Sequence, residues 1–207
     1  RLGRSWEVPE GTSVMMSILL RPKFEPQYAP TLTLVMGMAV AKAVKNLGFD
    51  VSIKWPNDVV VDGHKVCGIL TEMSTEVDYI NYVVIGVGIN VNQKVFDEEL
   101  KEKATSLMIE TGAPVKRSAL IAAVMKHFEI NYALFMENGD LSGLQESYNE
   151  MLVNRGKEVR ILEPGNEYNA HAYGINETGE LIVRTQKGEE KHIFAGEVSV
   201  RGIYGYV

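Results

Sequence analysis

A chain of 207 residues, 45% hydrophobic and 23% charged, can bury a core of useful size and suggests one domain with room for a small second one. The formal net charge is −6 and no basic tract interrupts the sequence, which argues against nucleic-acid binding through this portion. A lone cysteine, Cys67, excludes a disulfide framework and a cysteine metal cage; no apolar run reaches the roughly 18 residues of a membrane helix, and the balance suits a reducing, cytoplasmic compartment.

The chain opens with Arg1-Leu2-Gly3-Arg4-Ser5-Trp6. Gly3 permits close backbone approach, the two guanidiniums offer forked donors, and Trp6 offers a stacking face, so an anion-binding loop fits; by itself a frayed basic terminus fits as well. Pro9-Glu10-Gly11 is a turn. Residues 14–20 are apolar on both faces and predict a central strand, ended by Arg21-Pro22. Thr31 is placed to cap a helix to about residue 47, with a core stripe of Leu32, Val35, Met36, Ala39, Val40, Ala43 and Leu47, and Gly48 stops it.

Val51, Ser52 and Ile53 read as a short strand that Pro56 interrupts, and Val59-Val60-Val61 resumes at once. Lys54-Trp55-Pro56-Asn57-Asp58 thus sets a cation, a carboxamide and a carboxylate around a strand break on a rigid sheet. Ordinary turn chemistry accounts for Asn-Asp after Pro equally well. Asp62-Gly63 is the strongest hairpin signal, and a return strand follows over 64–72. Strict alternation puts Lys65, Cys67 and Ile69 on one face and Val66, Gly68 and Leu70 on the other. Gly68 inside a strand marks close approach of a ligand or another backbone. Cys67 has no adjacent base and reads as a small buried residue.

Residues 79–91 predict another strand, running into Gly86-Val87-Gly88-Ile89-Asn90-Val91-Asn92. A dinucleotide-binding reading of Gly-x-Gly is weak, because the third glycine and the following helix are missing. Residues 96–108 are polar, a mix of loop and short helix. Ser118 is placed to cap a long helix to about residue 138, and 141–152 form a second, shorter one. His127 reads as structural, and the four histidines show no ligand spacing, so no protein-held metal is expected. From Gly156 onward short strands over 157–162, 168–175, 181–185, 191–194 and 198–203 alternate with the turns Pro164-Gly165, Thr178-Gly179 and Lys187-Gly188, a pattern for a small barrel.

Four motifs stand in order: Arg1-Leu2-Gly3-Arg4-Ser5-Trp6, Lys54-Trp55-Pro56-Asn57-Asp58, Lys65-Val66-Cys67-Gly68-Ile69-Leu70, and Gly86-Val87-Gly88-Ile89-Asn90. Together they resemble the biotin protein ligases, and Ala104-Thr105-Ser106-Leu107 and Ala195-Gly196-Glu197-Val198-Ser199 extend the likeness to the last strand. The first motif looks like the second half of the family's biotin loop; the first half, and the strand and helix before it, are not in this sequence. The resemblance implies an α+β fold: a mixed or antiparallel sheet with flanking helices, like the catalytic domain of class II aminoacyl-tRNA synthetases, then an SH3-like β-barrel. Residues 1–154 are expected to form the biotin- and ATP-binding catalytic domain, without its N-terminal portion, and 155–207 the barrel.

The resemblance further implies ATP-dependent activation of biotin to biotinyl-5′-AMP with Mg²⁺ assisting. Transfer to a lysine of a biotin carboxyl carrier protein, of acetyl-CoA carboxylase or a related carboxylase, would follow. Carried over residue by residue, Lys65, Lys54, Asp58 and Arg1 are the catalytic candidates. Arg1, Gly3, Lys54, Gly68, Ile69, Leu70 and Gly86 are assigned to biotin. Arg4, Trp6, Asn57, Lys65, Gly88, Ile89 and Asn90 are assigned to ATP or the adenylate. Homodimers through a sheet edge near the active site are common in the family and stand as one option. The alternatives are a lipoate-type ligase of the same fold and a non-catalytic biotin-sensing module.

Overall fold

Among the described residues before 91, runs of β-branched and aliphatic residues build five strands: β1 (Ser13–Leu20), β2 (Val51–Lys54), β3 (Asp58–Val61), β4 (His64–Thr75) and β5 (Ile80–Asn90). They pair antiparallel in the order β1-β5-β4-β3-β2. The structure, a computed structural model, describes residues 8–76, 79–163, 165–195, 199–202 and 206–207. Asp62 (φ 49°) and Gly63 (φ 77°) make the tight turn between β3 and β4, as the Asp-Gly pair predicts.

One face of the sheet is covered by α1 (Leu32–Lys45). Every residue of α1 except Lys42 and Lys45 is buried, more than the single stripe its periodicity predicts. The reason is its position as a middle layer. After the short α2 (Leu107–Thr111), α3 (Arg117–Asn138) packs on the far side of α1 through Leu120, Val124, Phe128, Asn131 and Phe135. Asn131 Nδ2 donates to the Val35 carbonyl at 3.3 Å, and Lys42 Nζ to Asn131 Oδ1 at 3.4 Å, so the two helices also share polar contacts.

Several expectations are corrected. Thr31 does not cap α1 with its side chain: it ends a 3-10 helix, Pro26–Thr31, and its hydroxyl donates back to the Tyr28 carbonyl at 2.5 Å. Ser118 is not a cap either, because α3 already starts at Arg117 behind an extended Lys116. The second short helix is confined to α4 (Gln145–Met151). β1 is an edge strand among the described residues, not a central one, and its Met15 and Leu19 are 56% and 52% exposed. Its exposed apolar residues belong to the sheet face opposite α1 rather than to a second core. Finally, α3 is long and apolar enough by composition to cross a membrane. Its window holds only two charges, Lys126 and Glu129, while its polar uncharged residues hide the run from a search for unbroken apolar sequence.

The second sheet contains β6 (Glu158–Glu163), β7 (Asn166–Ile175), β8 (Leu181–Thr185), β9 (Glu190–Ile193) and β10 (Ser199–Gly202). Its antiparallel order, β10-β6-β7-β8-β9, fits the expected SH3-like unit. Pro164, Val198 and Ile203, expected in a turn and at the strand ends, lie outside the described residues. Inward residues such as Val159, Ile161, Ala172 and Val183 join one core with the first sheet and its helices. The seam is also polar. Ile175 donates its N–H to Asn149 Oδ1 at 2.7 Å, and its carbonyl accepts from Gln145 Nε2 at 2.8 Å and Asn149 Nδ2 at 3.3 Å. Gly179 takes φ 85° here, and a Cβ on it would lie 3.1 Å from both Leu141 and Leu34 side chains.

Candidate active site

Strand pairing places one residue from each strand in a single row across the face opposite α1: Met15, Gly88, Gly68, Asp58 and Lys54. The next row contains Ser17, Gly86 and Leu70. Directly cross-strand residues share a face, so three glycines floor a shallow strip that leads to Asp58 and Lys54. Leu70 borders it. Ile69 and Ile89 have the opposite parity: their side chains lie in the α1 core, which leaves only their backbone to the strip.

Lys65 reaches this face through an irregularity. Val59 pairs with Cys67, but Val60 pairs with Lys65, so Val66 is an extra residue in β4. The bulge overturns the strict alternation expected for β4. Val66 and Cys67 both enter the core, and Lys65 shares a face with Asp58 instead of with Cys67 and Ile69. Its Nζ stands 2.5 Å from Asp58 Oδ1. The bulged backbone is held from outside by residues 103–105: Lys65 N donates to the Lys103 carbonyl at 2.8 Å, and Thr105 N to the Lys65 carbonyl at 3.0 Å. Asn90, buried on the same face, donates from Nδ2 to the Thr105 carbonyl at 3.1 Å and fixes that segment. Ser106 follows, fully buried, donating to the Gln93 carbonyl at 2.6 Å and capping α2 through Ile109 N.

The strand break between β2 and β3 is anchored on both sides. The Trp55–Pro56 bond is cis. Trp55 is buried; its Nε1 donates to the Gly179 carbonyl at 3.0 Å and its N–H to Asn154 Oδ1 at 3.3 Å, so the ring ties the sheet to the second unit. Asn57 Nδ2 donates to the Ile69 carbonyl at 3.0 Å, and Ile69 N donates to the Asn57 carbonyl at 3.0 Å. These bonds set the direction in which Lys54 and Asp58 point.

Lys54 is 5% exposed. Burial pulls its ammonium down to about 8; the Asp58 carboxylate opposes the fall, and the Lys65 and Arg201 charges add to it. Among the described residues the charges acting here are the cations Lys54, Lys65 and Arg201 against the Asp58 carboxylate, a cationic excess of the kind that gathers anions. Cys67 is fully buried, and burial pushes its thiol well above the ordinary range, in keeping with a packing role.

Two members were missed from sequence. The Tyr206 hydroxyl donates to Asp58 Oδ2, and its ring lies 3.4 Å from Lys54 Nζ at the centroid. Arg201, on β10, adds charge. Neither carries a motif signal in the sequence. Of the expected site residues, Lys54, Asp58, Lys65, Gly68, Leu70, Gly86, Gly88 and Asn90 fall on this face, Asn57 lies at the strand break bonded to the Ile69 carbonyl, and Ile69 and Ile89 turn their side chains into the core. Arg1, Gly3, Arg4 and Trp6 lie outside the described residues.

Residues 1–90 match the biotin/lipoate A/B protein ligase family, and residues 156–201 match the biotin protein ligase C terminal domain. The chain is 37% identical over 205 residues to the bifunctional ligase/repressor BirA of Bacillus subtilis, covering 97% of this chain and 62% of that protein. It is 30% identical over 172 residues to the biotin–[acetyl-CoA-carboxylase] ligase of Mycobacterium tuberculosis, covering 81% of this chain and 61% of that one. A solved structure of the biotin protein ligase from Aquifex aeolicus in complex with biotin and ATP aligns with a TM-score of 0.85 at 31% identity, covering 98% of this chain and 83% of that chain. The chain belongs to the biotin protein ligase family.

Proposed function

We propose that the chain activates biotin with ATP and transfers it to one lysine of a biotin carboxyl carrier protein, of acetyl-CoA carboxylase or a related carboxylase. The observation that carries this reading is the row in which paired Gly68 and Gly88 lead directly to Asp58 and Lys54, with Lys65 beside them. In the first step a biotin carboxylate oxygen bonds to the α-phosphorus of ATP and pyrophosphate leaves, giving biotinyl-5′-AMP. Both reactants are anions, so Lys54 and Lys65, joined by Arg1 and Arg4, neutralise them where charge builds up. In the second step a neutral carrier amine bonds to the acyl carbon, AMP leaves with the anhydride oxygen, and the amine gives up a proton as the amide forms. With one Asp58 oxygen on Lys65 and the other on Tyr206, Asp58 orients this amine rather than serving as a free base.

In this reading Gly68, Leu70 and Gly86 with Arg1, Gly3 and the Ile69 backbone line the biotin end. Gly88, Asn57, Trp6 and the Ile89 backbone line the adenylate end, and Asn90 acts by holding residues 103–105. Mg²⁺ would be carried by the nucleotide phosphates and would neutralise part of their charge. The catalytic unit comprises residues 1–154 and the SH3-like unit 155–207. The edge position of β1 suits a homodimer through that strand. A cytoplasmic setting follows from where biotin carriers and ATP meet.

Biotin-dependent exchange of labelled pyrophosphate into ATP tests the activation step, with lipoate as the competing acid. Exchange with biotin alone is the expected result. Exchange with lipoate instead would make the chain a lipoate-type ligase, and biotin binding without exchange would make it a sensing module.

A further inference from the structure

We infer that Tyr206 is a positioning residue of the active site, supplied by the SH3-like end of the chain to hold Asp58 and Lys54 in their working arrangement. The inference rests on the ligase reading above and adds to it a residue from outside the four sequence motifs. Tyr206 makes two different contacts with two different site residues. Its hydroxyl donates to Asp58 Oδ2, and its ring face lies against the Lys54 ammonium, 3.4 Å from Nζ to the centroid.

The two contacts do separable work. With Lys65 Nζ at 2.5 Å from Oδ1 and the phenol on Oδ2, the carboxylate is gripped at both oxygens and has one orientation. That orientation in turn sets Lys65, which has the bulge behind it. The ring, by contrast, covers Lys54, a residue 5% exposed whose stem otherwise runs from the end of a four-residue strand. A cation so confined keeps its place over the glycine row without a carboxylate of its own. Asp58 and Tyr206 are 148 residues apart in sequence, so this contact is a tertiary choice and not a local turn preference.

The two contacts predict different kinetics for two variants of the full-length protein. Tyr206→Phe keeps the ring and loses the hydroxyl: kcat for biotin-dependent pyrophosphate exchange falls about tenfold, the equivalent of one hydrogen bond to a charged group, while KM for biotin and for ATP stays within about twofold. Tyr206→Leu loses both: kcat falls at least as far, and KM for at least one of the two anions rises about tenfold. Recovery of KM on going from Leu to Phe is the readout that a merely structural role would not produce. Both variants matching wild type in kcat and KM, or both failing to the same extent in both constants, would overturn the inference. Absence of exchange in the wild-type protein would instead sink the ligase reading, which keeps the two failures apart.

Discussion

At the residue scale the site is a compromise between charge and burial, and Lys54 carries most of it. Its folded pKa, about 8, is below its ordinary value of 10.5, so folding disfavours the charged form. The unfolded chain therefore binds more protons between pH 8 and 10.5, and this group's contribution to stability improves as pH rises through that window. Lys54→Met removes the buried charge: stability at pH 7 is expected to rise by about 1–3 kcal/mol in urea unfolding, the gain shrinking toward pH 10.5, while exchange activity collapses. For the same reason wild-type exchange should show an alkaline limb near pH 8, as the Lys54 ammonium is lost. Lys65→Ala should cut exchange by roughly 10²-fold or more with biotin affinity largely kept, measured by pyrophosphate exchange beside isothermal titration. Lys54, Asn57, Asp58 and Lys65 were legible because a proline-broken strand and a hairpin force them together. Tyr206 was not, because nothing local distinguishes it from other aromatic residues near a chain end.

At the element scale, the informative departure is the single extra residue in β4. A strand conveys facing by parity, so Val66 acts as a frame shift confined to one element: the lysine before it and the isoleucine after it read out on opposite sides. Deleting Val66 restores regular alternation with Lys65 still opposite Val60, on the Asp58 face, and removes one buried core side chain. A lowered unfolding midpoint with exchange by the folded protein largely kept is the expected outcome. The β3–β4 turn was legible from Asp62-Gly63, and the SH3-like strands from their turns. The bulge was not, because Lys-Val-Cys-Gly alternates acceptably in either frame and only the partner strand decides. The edge position of β1 was hidden for a related reason: an apolar run looks alike whether its outer face meets a helix or a substrate strip.

At the scale of the whole molecule, one core runs through both sheets, and the seam is pinned by Trp55, Asn149 and the side-chain-free Gly179. Unfolding is therefore expected as one calorimetric transition, with van't Hoff and calorimetric enthalpies in agreement; two resolved peaks would contradict this. Asn149→Ala leaves the Ile175 N–H without its partner in a buried seam and should cost about 1–3 kcal/mol in denaturant unfolding. The distance along the chain between Asp58 and Tyr206 has a further consequence, one of timing. A ribosome completes the first sheet, its helices and the glycine strip long before it reaches Tyr206, so the growing chain carries a formed strip whose carboxylate lacks one of its two partners. A premature stop just after β10 would spare every described strand of both sheets yet remove that partner, leaving an unfinished charge cluster.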